Sequence, residues 1–483
     1  MRFPGHPGQC APVIRFTGRH MVFPSLEFAI FFPLVLGLSW ALMPHPRLWK
    51  PFILAASYVF YGAANPRFCI LLAFVTLANQ VGALAVHRAA GERRRRLLTG
   101  LTVAANLGVL GVFKYYGFFT EDFGRLLDSF GLGLPLPLLT IALPIGLSFY
   151  IFQAISYVVD VKRGLIEPAP TLDVAVYLSF FPHVVAGPIV RAREFLPQLA
   201  TPRDPKNVAV GAGVVLIALG LVKKVALADY LARSVVDPVF GVPEAYSAPD
   251  VALASYAYAA QIYCDFSGYT DIAIGVALLM GFVFPQNFRA PYRATSFRDF
   301  WRRWHITLSR YLRDFLYIPL GGSRGGKLST ARNLMITMTL GGLWHGAAWG
   351  FVLWGALHGG GLAIERVLRG RIDAPVWLRW AAVFHAVVFG WILFRSRDLD
   401  VAATFLSRLV DPGPATLWTV PTVLAVITVI GFQLLPERPL ERVRERLAEL
   451  GPAALGTGLA ATVAIVGATV PSQAVPPFIY FQF

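Results

Sequence analysis

Cysteine is scarce in this chain. The 483 residues contain three, Cys10, Cys69 and Cys264, far apart and with no C-x-x-C pair. Such spacing excludes both a disulfide framework and a zinc-type cluster. Charge is scarce too, at 14% of residues, and acid is scarcer than base, with 27 Asp and Glu against 43 Lys and Arg. No H-E-x-x-H zinc helix occurs. The histidines at 183, 305, 345, 358 and 385 show no local ligand spacing, so no metal site is expected.

Apolar residues are what the chain has in abundance. They make up 56% of it, and the mean hydropathy is +0.59. That is too apolar for water-soluble domains and too long for one anchored segment, so an all-α polytopic membrane protein is expected. The net charge of +16 then marks cytoplasmic loops and contact with lipid, and nucleic acid is not an expected partner.

Apolar stretches of span length fall at roughly 24–43, 49–63, 67–87, 97–119, 141–160, 208–228, 251–284, 333–364, 377–395, 417–435 and 453–470, about eleven segments. The basic runs HRAAGERRRRLL from His87 and QNFRAPYRATSFRDFWRRWH from Gln286 belong on the cytoplasmic side, and the acidic stretches at 121–130 and 229–250 outside. Counting back places the N-terminus outside, where the basic tail of residues 1–20 is disfavoured. Two readings stand: Met21 is the true start, or the tail is a short disordered extension of a single domain over 21–483.

Two segments resist a simple count. Residues 172–190 have positive charge on both sides, which suits a half-membrane, re-entrant segment. The 32 residues of 333–364 would measure about 48 Å as one helix, against a bilayer core of about 30 Å. A broken or bent passage is expected, with glycines from Gly341 to Gly361 at its flexible or closely packed points. His345, in GGLWHGAAWG, lies on that interrupted element. It either faces an internal pocket or is a neutral core histidine held between helices. Asp265 and Asp271 lie mid-way along 251–284 and read as an ion path or, more commonly, as partners of a buried polar group.

Residues 296–319 are expected to form one amphipathic helix, capped by Ser296 with Asp299 and closed by Pro319. Trp301, Trp304, Leu308, Tyr311, Leu312 and Phe315 share one face, with His305 beside them, and Arg302, Arg303, Arg310 and Arg313 share the other. The arginine face suits anionic lipid or the entrance for a phosphate-rich donor such as a coenzyme A thioester. The turn GGSRGGKL at 321–328 nearly matches a phosphate loop, but Leu328 replaces the magnesium-binding hydroxyl. Nucleotide hydrolysis is excluded, and a phosphate contact by Lys327 is left open.

Five segments, LPIGLSFYIFQAISYVVDV (143–161), FFPHVVAGPIVR (180–191), QIYCDFSGYTDIAIGVALLMGF (261–282), DFWRRWHITLSRYLRDFLYIPLGG (299–322) and GGLWHGAAWGFVLWGALHG (341–359), with the closing PFIYFQF, resemble the membrane-bound O-acyltransferase family, nearest its alginate O-acetyltransferase branch. The resemblance implies tilted helices around a central funnel or tunnel in the bacterial inner membrane. It implies an acyl donor reached from the cytoplasm, acetyl-CoA being expected, with no bound cofactor. The acceptor would be an exported polysaccharide, and a separate periplasmic acyl-handling protein a partner. His345 would then be catalytic as general base and His305 its polarising or orienting companion, with Arg302, Arg303 and Lys327 as donor phosphate contacts. Transfer of D-alanyl or another acyl group to a cell-wall polymer is the alternative within the class, and a transporter or channel the alternative outside it.

Overall fold

The structure is a computed structural model and describes residues 21–120, 127, 130, 143–185, 187–368 and 373–469. The tail at 1–20 and the closing PFIYFQF lie outside the described residues. Among those described, every regular element is helical.

Local chemistry sets many helix boundaries. Ser25 accepts a hydrogen bond from the Phe28 amide at the start of α1 (Leu26–Leu42), and α2 (Pro46–Gly62) begins with proline. Asn65 caps α3 (Pro66–Arg88), again with proline in the first turn. These are the residues that satisfy or remove orphaned amides at a helix start. Then follow α4 (Glu92–Thr120), α5 (Leu147–Lys162), α6 (Thr171–Ser179) and α7 (Phe181–Val184), and α8 (Ala192–Ala200). Residues 172–190, expected to dip without crossing, form no single helix of span length: Phe180, with ψ of 109°, separates two short ones.

The centre is a packed pair, α9 (Val210–Gly241) and α10 (Ala248–Leu279). A Cβ on Gly275 would lie 2.6 Å from the Gly213 carbonyl oxygen, and one on Gly220 2.6 Å from that of Gly268. Two levels of facing glycines therefore bring backbone against backbone, as helices do where apolar side chains gain nothing from leaving lipid. Lys224, fully enclosed, bonds Asp229 at 2.7 Å and Asp265 at 2.5 Å, while Lys223 bonds Asp271 at 2.6 Å. Asp265 is thus the partner of a buried cation and Asp271 of a half-buried one, in keeping with the commoner of the two readings.

The expected single helix over 296–319 is instead two, α11 (Phe297–Arg303) and α12 (Ile306–Leu312). The break is at His305, in the left-handed conformation (φ 42°, ψ 56°). Half of the expected capping box forms: Ser296 accepts from the Asp299 amide, but the Asp299 carboxylate accepts from Arg303 instead. Facing survives the break, since Trp301, Trp304, Leu308, Tyr311 and Leu312 are buried and Arg302, Arg310 and Arg313 exposed.

The 333–364 stretch is broken, as expected, but its halves are longer than expected. They are α13 (Gly326–His345) and α14 (Trp349–Leu368), 20 residues each. Charged residues at the far ends, Lys327 and Arg366, lie within the helices, so an apolar window understates their length. The two run antiparallel, with Gly342 against Phe351 and Gly355, and Gly359 against Met335. The chain closes with α15 (Val376–Arg395), α16 (Leu399–Arg408), α17 (Val420–Leu434), α18 (Glu437–Ala448) and α19 (Pro452–Thr469).

Among the described residues five helices, α3, α4, α9, α10 and α15, are long and apolar enough to cross a membrane, and a sixth crossing results if α17 and α18, bent by 103°, are one broken span. This count falls short of the eleven expected segments. Helix α1 has only 17 residues and α5 only 16.

Candidate active site

His345 is the last residue of α13, and Gly346 continues in extended conformation (φ −158°, ψ 151°). The helix ends where the chain must reverse into α14, and a Cβ on Gly346 would strike the Phe351 ring at 2.0 Å. Glycine is therefore needed directly after the histidine. The imidazole is 3% exposed and enclosed by rings, with centroids at 5.0 Å to Trp344, 5.1 Å to Trp354 and 5.4 Å to Phe394.

His305 arrives from the α11–α12 break. It is fully buried, and its ring centroid lies 6.4 Å from that of His345. The two expected site histidines, far apart in sequence, are brought side by side with their rings tilted by 50°. Phe266 of α10 packs edge-on against His305 at 4.7 Å, so the central helix pair forms one wall.

Hydrogen bonds define the His305 tautomer. Asn287 Oδ1 accepts from the Thr307 amide at 3.1 Å and the Thr307 hydroxyl at 2.9 Å. An amide N–H can only donate, so this atom of Asn287 is its oxygen. His305 Nδ1 lies 3.2 Å from the same oxygen and must donate to it. The proton is on Nδ1 and the lone pair on Nε2, which has no partner among the described residues. A neutral His305 can therefore accept a hydrogen bond from a ligand but cannot donate one through Nε2.

Donors lie nearby. The indole N–H groups of Trp344 and Trp354 are buried without hydrogen-bond partners among the described residues. Trp301 donates to His358 Nδ1 at 3.3 Å, which leaves the His358 proton on Nε2, also unpartnered. Trp354 packs between His345 and His358, 4.8 Å from the latter. Buried polar atoms are nearly always satisfied, so these unpaired donors beside the two histidines make the pair a candidate site. His183 donates through Nε2 to the Tyr177 carbonyl at 2.7 Å and lies among the rings of Phe180, Phe195 and Phe284, away from this pair, although its Nδ1 is also unpartnered among the described residues.

Arg302, Arg303 and Lys327 are not brought together by any contact. Arg302 and Lys327 are exposed. Arg303 bonds Asp299 at 2.9 Å and Glu437 at 2.8 Å, on the wall of a cleft of about 560 Å³ lined also by Arg289, Arg293, Arg438 and Arg442. Lys327 follows a turn in which Gly321, Gly322 and Gly326 have positive φ. Gly321 to Gly325 also fits G-x-S-x-G, but no strand precedes it and Ser323 is exposed, so it is no nucleophile elbow. No cluster of three metal-ligating side chains occurs among the described residues.

Sequence reasoning also missed Asn287 and Lys114. The former carries no motif. The latter was legible as the lone charge within GVLGVFKYYGFF, since an ionisable group in an apolar span marks function.

Residues 65–394 match the family model described as MBOAT, membrane-bound O-acyltransferase family. The chain is 43% identical over 408 residues to the probable alginate O-acetylase of Azotobacter vinelandii, covering 82% of this chain and 79% of that protein. It is 35% identical over 408 residues to the peptidoglycan O-acetyltransferase of Helicobacter pylori, at 77% and 75% coverage. A teichoic acid D-alanyltransferase of Bacillus subtilis is more distant, 26% identical over 273 residues, at 52% and 69%. A helical multi-pass chain that places two buried histidines at 6.4 Å, and matches this family over most of its length, belongs to the membrane-bound O-acyltransferases and is an acyltransferase.

Proposed function

We propose that the protein is an O-acetyltransferase of the bacterial inner membrane that moves an acetyl group from a cytoplasmic thioester, acetyl-CoA, toward an exported polysaccharide, with a separate periplasmic protein completing delivery. The identity to alginate O-acetylases over four fifths of the chain supports the acetyl group and the glycan acceptor. The weaker and shorter match to D-alanyltransferases makes that transfer the second reading.

The observation that carries the chemistry is the enclosed His345–His305 pair. In the proposed reaction the acceptor hydroxyl attacks the thioester carbonyl as His345 removes its proton. The C–S bond then breaks, an ester C–O bond forms, and the proton passes from His345 to the departing thiolate. His305 Nε2 accepts a hydrogen bond from a second hydroxyl of the acceptor, a contact a polyol offers. The unpartnered indole N–H groups of Trp344 and Trp354, on rings that pack against His345, are the donors available to the developing oxyanion. The aromatic enclosure excludes water, which would compete as acceptor. The phosphates of the donor suit the arginine cleft around Arg303.

Purified protein in nanodiscs, given radiolabelled acetyl-CoA with candidate glycans and periplasmic partners, tests the reading. His345→Ala that folds like wild type should lose turnover by a factor of roughly 10² to 10⁴. Undiminished transfer by that variant would remove His345 from the mechanism, and failure of wild type to consume acetyl-CoA would remove the donor.

A further inference from the structure

The final turn of α13, which carries His345, is finished by another helix. An α-helix leaves its last four carbonyls without intrahelical partners, and here the extended Gly346 supplies no backbone cap. Three of those carbonyls are met by two neighbouring side chains of α4. Tyr115 Oη donates to the Leu343 carbonyl at 2.9 Å, and Lys114 Nζ donates to those of Trp344 at 2.5 Å and His345 at 3.0 Å.

Both residues lie in the π-helical turn Gly111–Tyr115. Such turns insert a wider step into an α-helix and recur at functional sites. Lys114 also approaches the Trp344 ring face, 5.8 Å from its centroid. One cation therefore touches the backbone of His345 and both the backbone and the ring of its neighbour. A hydroxyl or a glycine-type cap would satisfy the same carbonyls at far smaller desolvation cost than an ammonium in an apolar span. What the amine adds is reach: a single Nζ donates to two successive carbonyls at the negative end of the helix that ends in the histidine.

We infer that Lys114 and Tyr115 are positioning residues for His345, holding its backbone and ring at the distance from His305 that acyl transfer needs. The inference rests on His345 being the reactive group of the proposed transfer. Neither residue is required to touch substrate.

The test uses the full-length protein labelled with [15N]histidine in detergent, the His345 ring signals being identified by their loss in His345→Ala. Lys114→Met and Tyr115→Phe should each move the His345 signals and leave those of exposed His385 in place. In turnover, Lys114→Met should lower kcat roughly 10- to 100-fold, since small misplacements carry losses of that order, with KM for acetyl-CoA nearly unchanged. Lys114→Arg, which keeps a cationic donor, should recover most of the loss. His345 signals that stay put in both variants, or an undiminished kcat, would overturn the inference. If Lys114→Met fails to fold, Tyr115→Phe, which removes a single hydroxyl, carries the test alone. A wild type inert toward acetyl-CoA whose His345 signals still respond would defeat the transfer reading and leave the positioning intact.

Discussion

His305 owes its tautomer to a residue with no motif of its own. The Asn287 oxygen holds the His305 proton on Nδ1 and is itself fixed by Thr307. Replacing Asn287 by leucine removes that acceptor, lets the imidazole invert its tautomer, and leaves the Thr307 amide without its partner. Asn287→Leu should therefore reduce kcat by roughly tenfold or more while the donor KM stays near wild type. Steady-state kinetics with acetyl-CoA as the varied substrate read this directly, and an unchanged kcat would show the tautomer to be immaterial. At this scale the sequence was partly legible. WHG and WRRWH single out both histidines, but which nitrogen carries a proton depends on a side chain 18 residues away, and no local pattern encodes that.

Helices were legible where a long apolar run has one cause and illegible where tertiary contacts override it. The periodicity of 296–319 is helical throughout and reports facing correctly, yet the helix breaks at His305. There the Ile306 amide bonds the Asn287 carbonyl instead of continuing the ladder. The tight seam between α9 and α10 was not legible either, because glycines within a hydrophobic span look like neutral filler. Their role is steric: a Cβ at Gly268 would lie 2.8 Å from the Gly220 carbonyl oxygen. Gly268→Val should force the pair apart and cost about 1–3 kcal/mol, seen as a lower melting temperature in detergent. It should also diminish activity, because Phe266, two residues earlier, walls His305. A melting temperature equal to wild type would mean that the seam is looser than these distances state.

Over the whole molecule, polar contacts tie distant segments together. Lys162 pairs with Glu92 of the basic run from His87, Arg303 of the run from Gln286 pairs with Glu437, Lys50 pairs with Asp173 and Arg191 with Asp314. In the acidic 229–250 stretch, Asp237 pairs with Arg395 and Asp250 accepts from the Thr416 amide. Asp314 gathers three arginines. Its carboxylate takes Arg191 at 2.7 Å and Arg313 at 2.6 Å, and its carbonyl accepts from Arg163 at 3.0 Å. Burial pushes the Asp314 carboxyl up, but the hydrogen bonds from Arg313 and Arg191 outweigh it and hold it below the usual carboxylate value. A depressed value in the folded state contributes stability above the unfolded carboxylate range and loses it as pH falls through the folded one. Asp314→Asn should accordingly unfold more readily at pH 7, by about 1–3 kcal/mol, because Arg191, 5% exposed, loses its counter-ion. The gap between variant and wild type should narrow in thermal unfolding as pH falls below the unfolded carboxylate range and through the lowered folded value, and a gap independent of pH would assign the effect to shape instead of charge.

Among the described residues only Ala290 and His305 adopt positive φ without being glycine. The left-handed turn at 305 ends one short helix and begins the next, so the bend that interrupts the backbone also sets the imidazole beside His345. An unbroken helix over the same residues would carry that ring elsewhere, and the histidine pair would not assemble.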